Sequence, residues 1–583
     1  MLPRDGALLP LIVLAATSSS SAFDFHSPGF LHNRDAQAVN FWKLHRAASM
    51  ARTSKQQQQY ATQVGTGVSQ IQLAAAAAVP EFHVETFTQP LDHFYNSTDA
   101  TFPQRFWVNS RHYKPRPGAP VIVIDGGETN GEDRLPFLDT GIADILARAT
   151  GGVGVVLEHR YYGESIGVQN FSTDALRWLN NEQALEDSAN FMRNVKFQDI
   201  DEDLTAPNTP WIYYGDSYAG ARAAHMRVLY PDLVFGAIAL SAVTHAVLTN
   251  WEYMDVIRLA ADPKCSSNLV NSITTIDRLL KFHHLRGPLK KLFGLGGLES
   301  DQDFVSVLTY PLASWQDRNW DPAVGSTTFD HFCATLNGHT PTLKDTARTV
   351  VLPGPLRANV ALLNYAKWIR ENVVNNFCQD PSLTLEDCFG TNDDVKYQAT
   401  DLSQDWRLWV FQFCTQWGYL TTAPPHGTPA VISRLLDINY EHKICAQAFP
   451  PGEHYRVPSL PNVSAANALG DYHIAADRLA FIDGEARGPA VDPWRPYTPH
   501  SNYGALERDD TLLRPFKVIP GTSTRRKGWF PPETFLSGGV HHWDENGLRE
   551  GERELKEIRE IHEEMIEFVK VWLKDWEGPV TEA

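Results

Sequence analysis

The chain has 583 residues, 43% of them hydrophobic and 11% aromatic, which is ample for a large core and too many for one ordinary domain. A formal charge of -18 argues against nucleic acid or an anionic membrane surface as a partner. No stretch reaches the roughly 20 consecutive apolar residues that a membrane span requires.

Residues 1–22 carry Arg4, an apolar run from Ala7 to Ala16 and a small-residue end at Ser20, Ser21 and Ala22. That order predicts a secretory signal, hence a secreted, vacuolar or lysosome-like protein. Sequons at Asn96, Asn170 and Asn462 agree with that route and are candidate glycosylation sites. Residues 23–79, with Gln56 to Gln59 and Ala74 to Ala78, read as a pro-segment or loosely ordered arm, with room for a short helix over Phe41 to Met50. The folded body is expected from residue 80, opening with two antiparallel strands in FTQPLDHF and TFPQRFWVN.

PVIVIDGGETNGE follows, a continuous apolar strand of the kind buried in a parallel sheet. Its Gly126 and Gly127 stand where an α/β hydrolase places a second oxyanion amide, and Glu128, next in the loop, joins the substrate-contact candidates. GVGVVLEHRYYGES is a second buried strand, whose Glu158 and Arg160 are expected to form a structural ion pair under the site. Leu179 to Val195 is helical by the spacing of its apolar residues.

TPWIYYGDSYAGARAAHMRVLYPDLVFGAIALSA, residues 209–242, reads as strand, sharp turn, helix and strand. It holds Gly215, Ser217 and Gly220 in the G-x-S-x-G pattern that lifts a serine nucleophile out of a strand-to-helix corner. A Cβ at either glycine would crowd neighbouring backbone, and the Tyr218 N–H, at the positive end of the helix, is placed to be one oxyanion donor. Residues 80–248 are therefore the first part of an α/β-hydrolase domain.

Residues 249–467 come next, with helices expected over Ser272 to Phe282 and Leu356 to Asn375. All six cysteines fall here, and in a chain with a signal segment disulfides are the default reading. Cys378 with Cys388 is favoured, its short loop contributing on the order of 3 kcal/mol, and sequence proximity suggests Cys265 with Cys333 and Cys414 with Cys445. Residues 468–583 hold a strand at Arg478 to Glu485, another at Pro515 to Gly521, and an amphipathic helix from Glu552 to Trp576 with apolar residues at three-and-four spacing. No metal is expected: His562, Glu563 and Glu564 lack the second histidine of H-E-x-x-H because residue 566 is Ile566, and Gly294 to Gly297 lack the Lys-Ser/Thr of a phosphate loop.

The blocks VIVIDGGETNGE, LEHRYYGES, LNNEQALEDSANF, YYGDSYAG, VDPWRPY and GGVHHWDE, in that order, resemble the serine peptidases that include lysosomal prolyl carboxypeptidase, dipeptidyl peptidase II and fungal acid prolyl endopeptidases. The resemblance runs from about residue 84 to the C-terminus. It implies an α/β-hydrolase domain with a large, mainly helical cap inserted between the nucleophile and the acid and histidine, and hydrolysis of peptides at proline-containing sites. It also implies Asp492 as the acid and His541, the first of two adjacent histidines, as the base. One departure stands out: Asp483, Gly484 and Glu485 are followed by six residues before Asp492, where the family has a compact loop, so Asp483 remains a rival acid. Trp406 to Leu420 resembles the family block facing the serine, which makes Trp406, Trp409 and Trp417 candidates to line a proline pocket.

Together these readings give a serine-type peptidase acting on peptide substrates through a Ser217, His541, Asp492 triad and an acyl-enzyme, needing no cofactor, with an exopeptidase favoured over an endopeptidase. A carboxylesterase or lipase of the same fold, or a catalytically silent binding protein, are the alternatives. Homodimerisation is left open.

Overall fold

The structure is a computed structural model that describes residues 82–576, apart from 96, 322–323, 339–348, 352–356, 486–491, 503–507, 521–523, 526–534, 537–538 and 549–553, and also residue 578. The expected signal segment, the arm with its short helix and the Asn96 sequon lie outside the described residues.

Eight strands make the central sheet: β1 (Val84–Pro90), β2 (Thr101–Asn109), β3 (Val121–Asp125), β4 (Val153–Leu157), β5 (Trp211–Asp216), β6 (Val234–Leu240), β7 (Leu479–Glu485) and β8 (Phe516–Pro520). Their spatial order is β1-β2-β4-β3-β5-β6-β7-β8. β2 pairs antiparallel with both β1 and β4, and the remaining neighbours run parallel. The apolar runs VIVID and VGVVL explain why β3 and β4 lie inside: every residue of both is buried, as a sheet covered on both faces requires. The period of two then divides the core. Val121, Val123, Trp211 and Tyr213 pack on one face, while Ile122, Ile124, Ile212 and Tyr214 pack on the other.

Parallel neighbours need crossovers, and helices supply them. α1 (Ile142–Thr150) joins β3 to β4 and stops at Gly151, whose φ of 69° is the left-handed cap that glycine adopts without a Cβ penalty. α2 (Asn181–Asn194) precedes β5 and starts where the Asn180 side chain accepts the Gln183 N–H. α3 (Ser217–Leu229) joins β5 to β6.

Between β6 and β7 the described chain is largely helical, including Trp251–Ala260, Pro263–Leu280, Asp301–Leu308, Thr328–Leu336, Val360–Ile369 and Ile438–Ala448. Disulfides join Cys265 to Cys333, Cys378 to Cys388 and Cys414 to Cys445 within this region. The helix expected from Ser272 begins nine residues earlier at Pro263, because Asp262 caps it by accepting the Cys265 N–H and proline fits the first turn. The aromatic-rich stretch Trp406 to Leu420 is three pieces: α4 (Trp406–Gln412), a π-helical turn Phe413–Trp417, and a short strand Gly418–Leu420 paired with Val247–Thr249. Gly418 makes the break, with φ of 74° and a position at which a Cβ would come 2.0 Å from the Val247 carbonyl oxygen. Trp409, Trp417 and Ile444 of this region share one hydrophobic core with Ile122, Ile238 and Leu240 of the sheet.

The C-terminal helix α5 (Lys556–Lys574) buries Ile558, Ile561, Met565, Phe568 and Trp572. Trp572 lies against Gly236 of β6, where a Cβ would approach its ring to 2.6 Å, and its indole N–H donates to Leu512 O at 2.7 Å. The apolar stripe read from the sequence is thus the face that covers the sheet.

Candidate active site

Strand β5 ends at Asp216 and α3 begins at Ser217 with no residue between them. Ser217 takes up the turn itself, at φ of 54°, in the left-handed region that non-glycine residues rarely occupy. The flanking glycines are sterically required: a Cβ at Gly215 would lie 2.1 Å from Ala219 O, and one at Gly220 2.6 Å from Leu240 O. Asp216 makes no capping bond to α3, so no N-cap side chain covers the first-turn amides, the Tyr218 N–H among them, at the positive end of the helix.

Ser217 Oγ lies 2.9 Å from His541 Nε2. The opposite ring nitrogen, Nδ1, lies 3.0 and 3.1 Å from the two carboxylate oxygens of Asp492. Asp492 also accepts the Ser241 hydroxyl at 2.7 Å and the Trp494 N–H at 2.9 Å. An ionised carboxylate only accepts, so Nδ1 carries the proton and Nε2 is left to accept from Ser217. Burial works against charge on Asp492, but the His541 ring, the Ser241 hydroxyl and the Trp494 amide outweigh it and hold the carboxyl below its ordinary range. Burial lowers the pKa of His541 by more than Asp492 raises it, with the neighbouring His542 charge adding to the lowering. The imidazole is therefore a neutral acceptor at neutral pH.

The rival acid is engaged elsewhere. Asp483 Oδ2 lies 2.6 Å from His500 Nδ1, and the His500 ring stacks on Phe516 at 3.6 Å. The second histidine of the pair, His542, places Nδ1 2.9 Å from Asp216 and 3.6 Å from Glu545. Burial opposes its protonation, yet those two carboxylates push its pKa up to about 10. Ligand atoms of Asp216, His542 and Glu545 fall within 4.8 Å of one another, a spacing that could hold a metal ion. Arg134, 3.2 Å from Asp216, and the His542 cation already supply positive charge there. Burial, with the Asp216 charge adding, pushes the Glu128 carboxyl above its ordinary range.

Two expectations require correction. The amides of Gly126 and Gly127 are both engaged: Gly126 N–H donates to Leu157 O at 2.8 Å as the β3–β4 pairing runs on, and Gly127 N–H donates to Asp125 Oδ1 at 2.9 Å. Neither is free to serve as a second oxyanion donor in this conformation. Nor do Glu158 and Arg160 pair with each other. Glu158 binds Arg105 through contacts of 2.7 and 2.9 Å, whereas Arg160 binds Asp187 through contacts of 2.5 and 2.8 Å.

Trp409 and Trp417 approach the Tyr218 ring edge-on, at centroid distances of 5.4 and 5.2 Å. Trp406 is buried in a different neighbourhood, donating to Gln404 at 3.1 Å and packing on Tyr397. Of the other sequons, Asn462 is exposed and Asn170 half-buried. Ser241, His159 and Gln412, which contact Asp492 or Tyr218, carry no recognisable local motif.

A serine, an imidazole and a carboxylate in line, occurring in the order Ser, Asp, His along a chain folded around a mostly parallel sheet, define a serine hydrolase of the α/β-hydrolase class. The sequence profile of the Serine carboxypeptidase S28 family matches residues 89–505. A probable extracellular serine carboxypeptidase of Arthroderma benhamiae is 37% identical over 520 residues, spanning 85% of this chain and 68% of that protein. Serine protease vicPb of Bipolaris victoriae is 27% identical over 505 residues, 84% of this chain and 89% of that one. The thymus-specific serine protease of Homo sapiens is 26% identical over 505 residues, 82% and 88% respectively. The chain belongs to the Serine carboxypeptidase S28 family and is a serine peptidase.

Proposed function

We propose that the protein is a secreted exopeptidase that cleaves peptides at proline-containing sites through an acyl-enzyme on Ser217. The observation that carries the catalytic assignment is the 2.9 Å approach of His541 Nε2 to Ser217 Oγ, with Asp492 on the far side of the ring. In this reading Ser217 Oγ attacks the scissile carbonyl as His541 takes its proton, and the Tyr218 N–H donates to the developing oxyanion. His541 then returns the proton to the leaving amine, and water repeats the sequence to release the acyl group. Asp492 fixes the ring tautomer and stabilises the imidazolium without itself becoming protonated.

The helical region 249–467 acts as a cap that restricts entry to short or unstructured peptides. Of the candidate tryptophans, Trp409, beside Tyr218, is the one proposed to meet a proline ring, because Trp417 is fully buried with its ring stacked on His225 and Tyr419. The carboxypeptidase named among the relatives supports removal of a C-terminal residue over internal cleavage, and its extracellular description, with the signal-like residues 1–22, supports secretion. Mass spectrometry of the products from X-Pro-X peptides, alongside an ester panel, tests the reading. Release of the residue after proline by the wild type, absent in Ser217→Ala, is the expected outcome. Cleavage of esters alone would replace a peptidase reading with a carboxylesterase one.

A further inference from the structure

Tyr218 follows the nucleophile, yet its buried side chain points into a hydrogen-bonded chain assembled from three separate parts of the fold. His159 Nδ1 lies 2.8 Å from Arg160 O, and His159 Nε2 lies 3.1 Å from the Tyr218 hydroxyl. Gln412 Nε2 donates to that same hydroxyl at 2.9 Å, and Gln412 Oε1 accepts from the Tyr162 hydroxyl at 2.5 Å. His159 and Tyr162 belong to the loop after β4, Tyr218 to the elbow, and Gln412 to the last residue of α4 in the helical region.

The direction of every proton in the chain is fixed by its end. A backbone carbonyl only accepts, so His159 Nδ1 must carry a hydrogen. Burial, with the Arg222 charge adding, lowers the His159 pKa to about 3, so the ring is neutral and its Nε2 is an acceptor. The Tyr218 hydroxyl therefore donates to His159, which leaves its oxygen to accept from the Gln412 amide. Gln412 in turn turns its carbonyl to Tyr162. Each residue in the series has one orientation that satisfies all of its partners, and a group that cannot donate at position 412 breaks the order.

We propose that Gln412 is a positioning residue that holds Tyr218, and through it the backbone amide beside Ser217, from the helical region. The cap and the nucleophile elbow are thereby a single mechanical unit. The inference rests on the Ser217 reading above, and in particular on the Tyr218 N–H as an oxyanion donor. Because Tyr218 is also flanked by Trp409 and Trp417, displacement of the helical region would loosen the elbow as well as open the site. The link is therefore expressed in kcat, since an interaction realised only in the transition state lowers kcat when it is removed.

The test compares Tyr218→Phe, Gln412→Leu, their double variant and Gln412→Glu with the wild type, measuring kcat and KM on an X-Pro-X peptide across a pH series, with far-UV circular dichroism as the check on folding. Tyr218→Phe and Gln412→Leu should each lower kcat by about tenfold with little change in KM. The double variant should lose little more than the worse single one, because both remove the same bond. Gln412→Glu gives a readout that a purely structural role would not move. Its protonated carboxyl can donate to Tyr218 and its carboxylate cannot, so the ratio of its kcat to that of the wild type should fall as pH rises. Wild-type kcat in the folded variants, fully additive losses in the double variant, or a ratio independent of pH would each overturn the proposal. Turnover surviving in Ser217→Ala would instead overturn the nucleophile assignment, so the two failures are distinguishable.

Discussion

Ser241 donates its hydroxyl to Asp492 at 2.7 Å, on the carboxylate oxygen that lies 3.0 Å from His541. Ser241 is the first residue beyond β6 and has a φ of 42°, so the end of the strand next to β5 orients the Asp492 carboxylate. Hydrogen bonds to charged groups are worth about 1.5–3 kcal/mol. If that is felt in the transition state, Ser241→Ala should lower kcat by roughly 10- to 100-fold, with KM nearly unchanged. Steady-state kinetics on one peptide substrate checks this.

Asp492→Asn and Asp483→Asn should behave oppositely. The first substitution leaves the shape but forces the wrong His541 tautomer, an effect on the order of 10⁴-fold in kcat in a triad of this kind. The second removes the charged partner of His500, so it should leave kcat close to wild type while lowering stability by roughly 1–3 kcal/mol. Kinetics and urea unfolding of the two variants separate the roles.

The pKa values of the adjacent histidines are displaced in opposite directions. The folded pKa of His541 lies below its ordinary 6.5, and acylation needs the neutral ring. The acid limb of kcat/KM should therefore have its midpoint below 6.5. His542 is raised from 6.5 to about 10. Its stabilising contribution is fully present below pH 6.5 and is lost as pH rises through about 10. Thermal unfolding of the wild type should weaken more steeply across that window than that of His542→Gln.

The strand-to-helix turn that carries Ser217 was legible because its pattern lies in a required context: an apolar strand before, a helix after, and glycines that the close backbone demands. Buried strands were legible for the same reason, since VIVID and VGVVL have no polar face to show to water. Ion partners were not. Glu158 and Arg160 are two residues apart, but their partners Arg105 and Asp187 come from β2 and α2, and local spacing holds no information on tertiary approach. Gly126 and Gly127 show a related limit. Their presence signals crowding, whereas the direction of each N–H is set by Leu157 and Asp125. Between Asp483 and Asp492 the insertion obscured the alignment, and only the position of the imidazole distinguishes them. Gln412 escaped notice because a buried glutamine in an apolar helix is defined by the groups it bridges, which lie 194 and 250 residues away in sequence.

The most direct measurement is covalent labelling of the folded protein with a fluorophosphonate, followed by mass spectrometry of the digested adduct. One phosphonylated residue, Ser217, is expected, with labelling abolished in Ser217→Ala and strongly slowed in His541→Ala. Adduct on a different residue, or undiminished labelling in Ser217→Ala, would contradict the account.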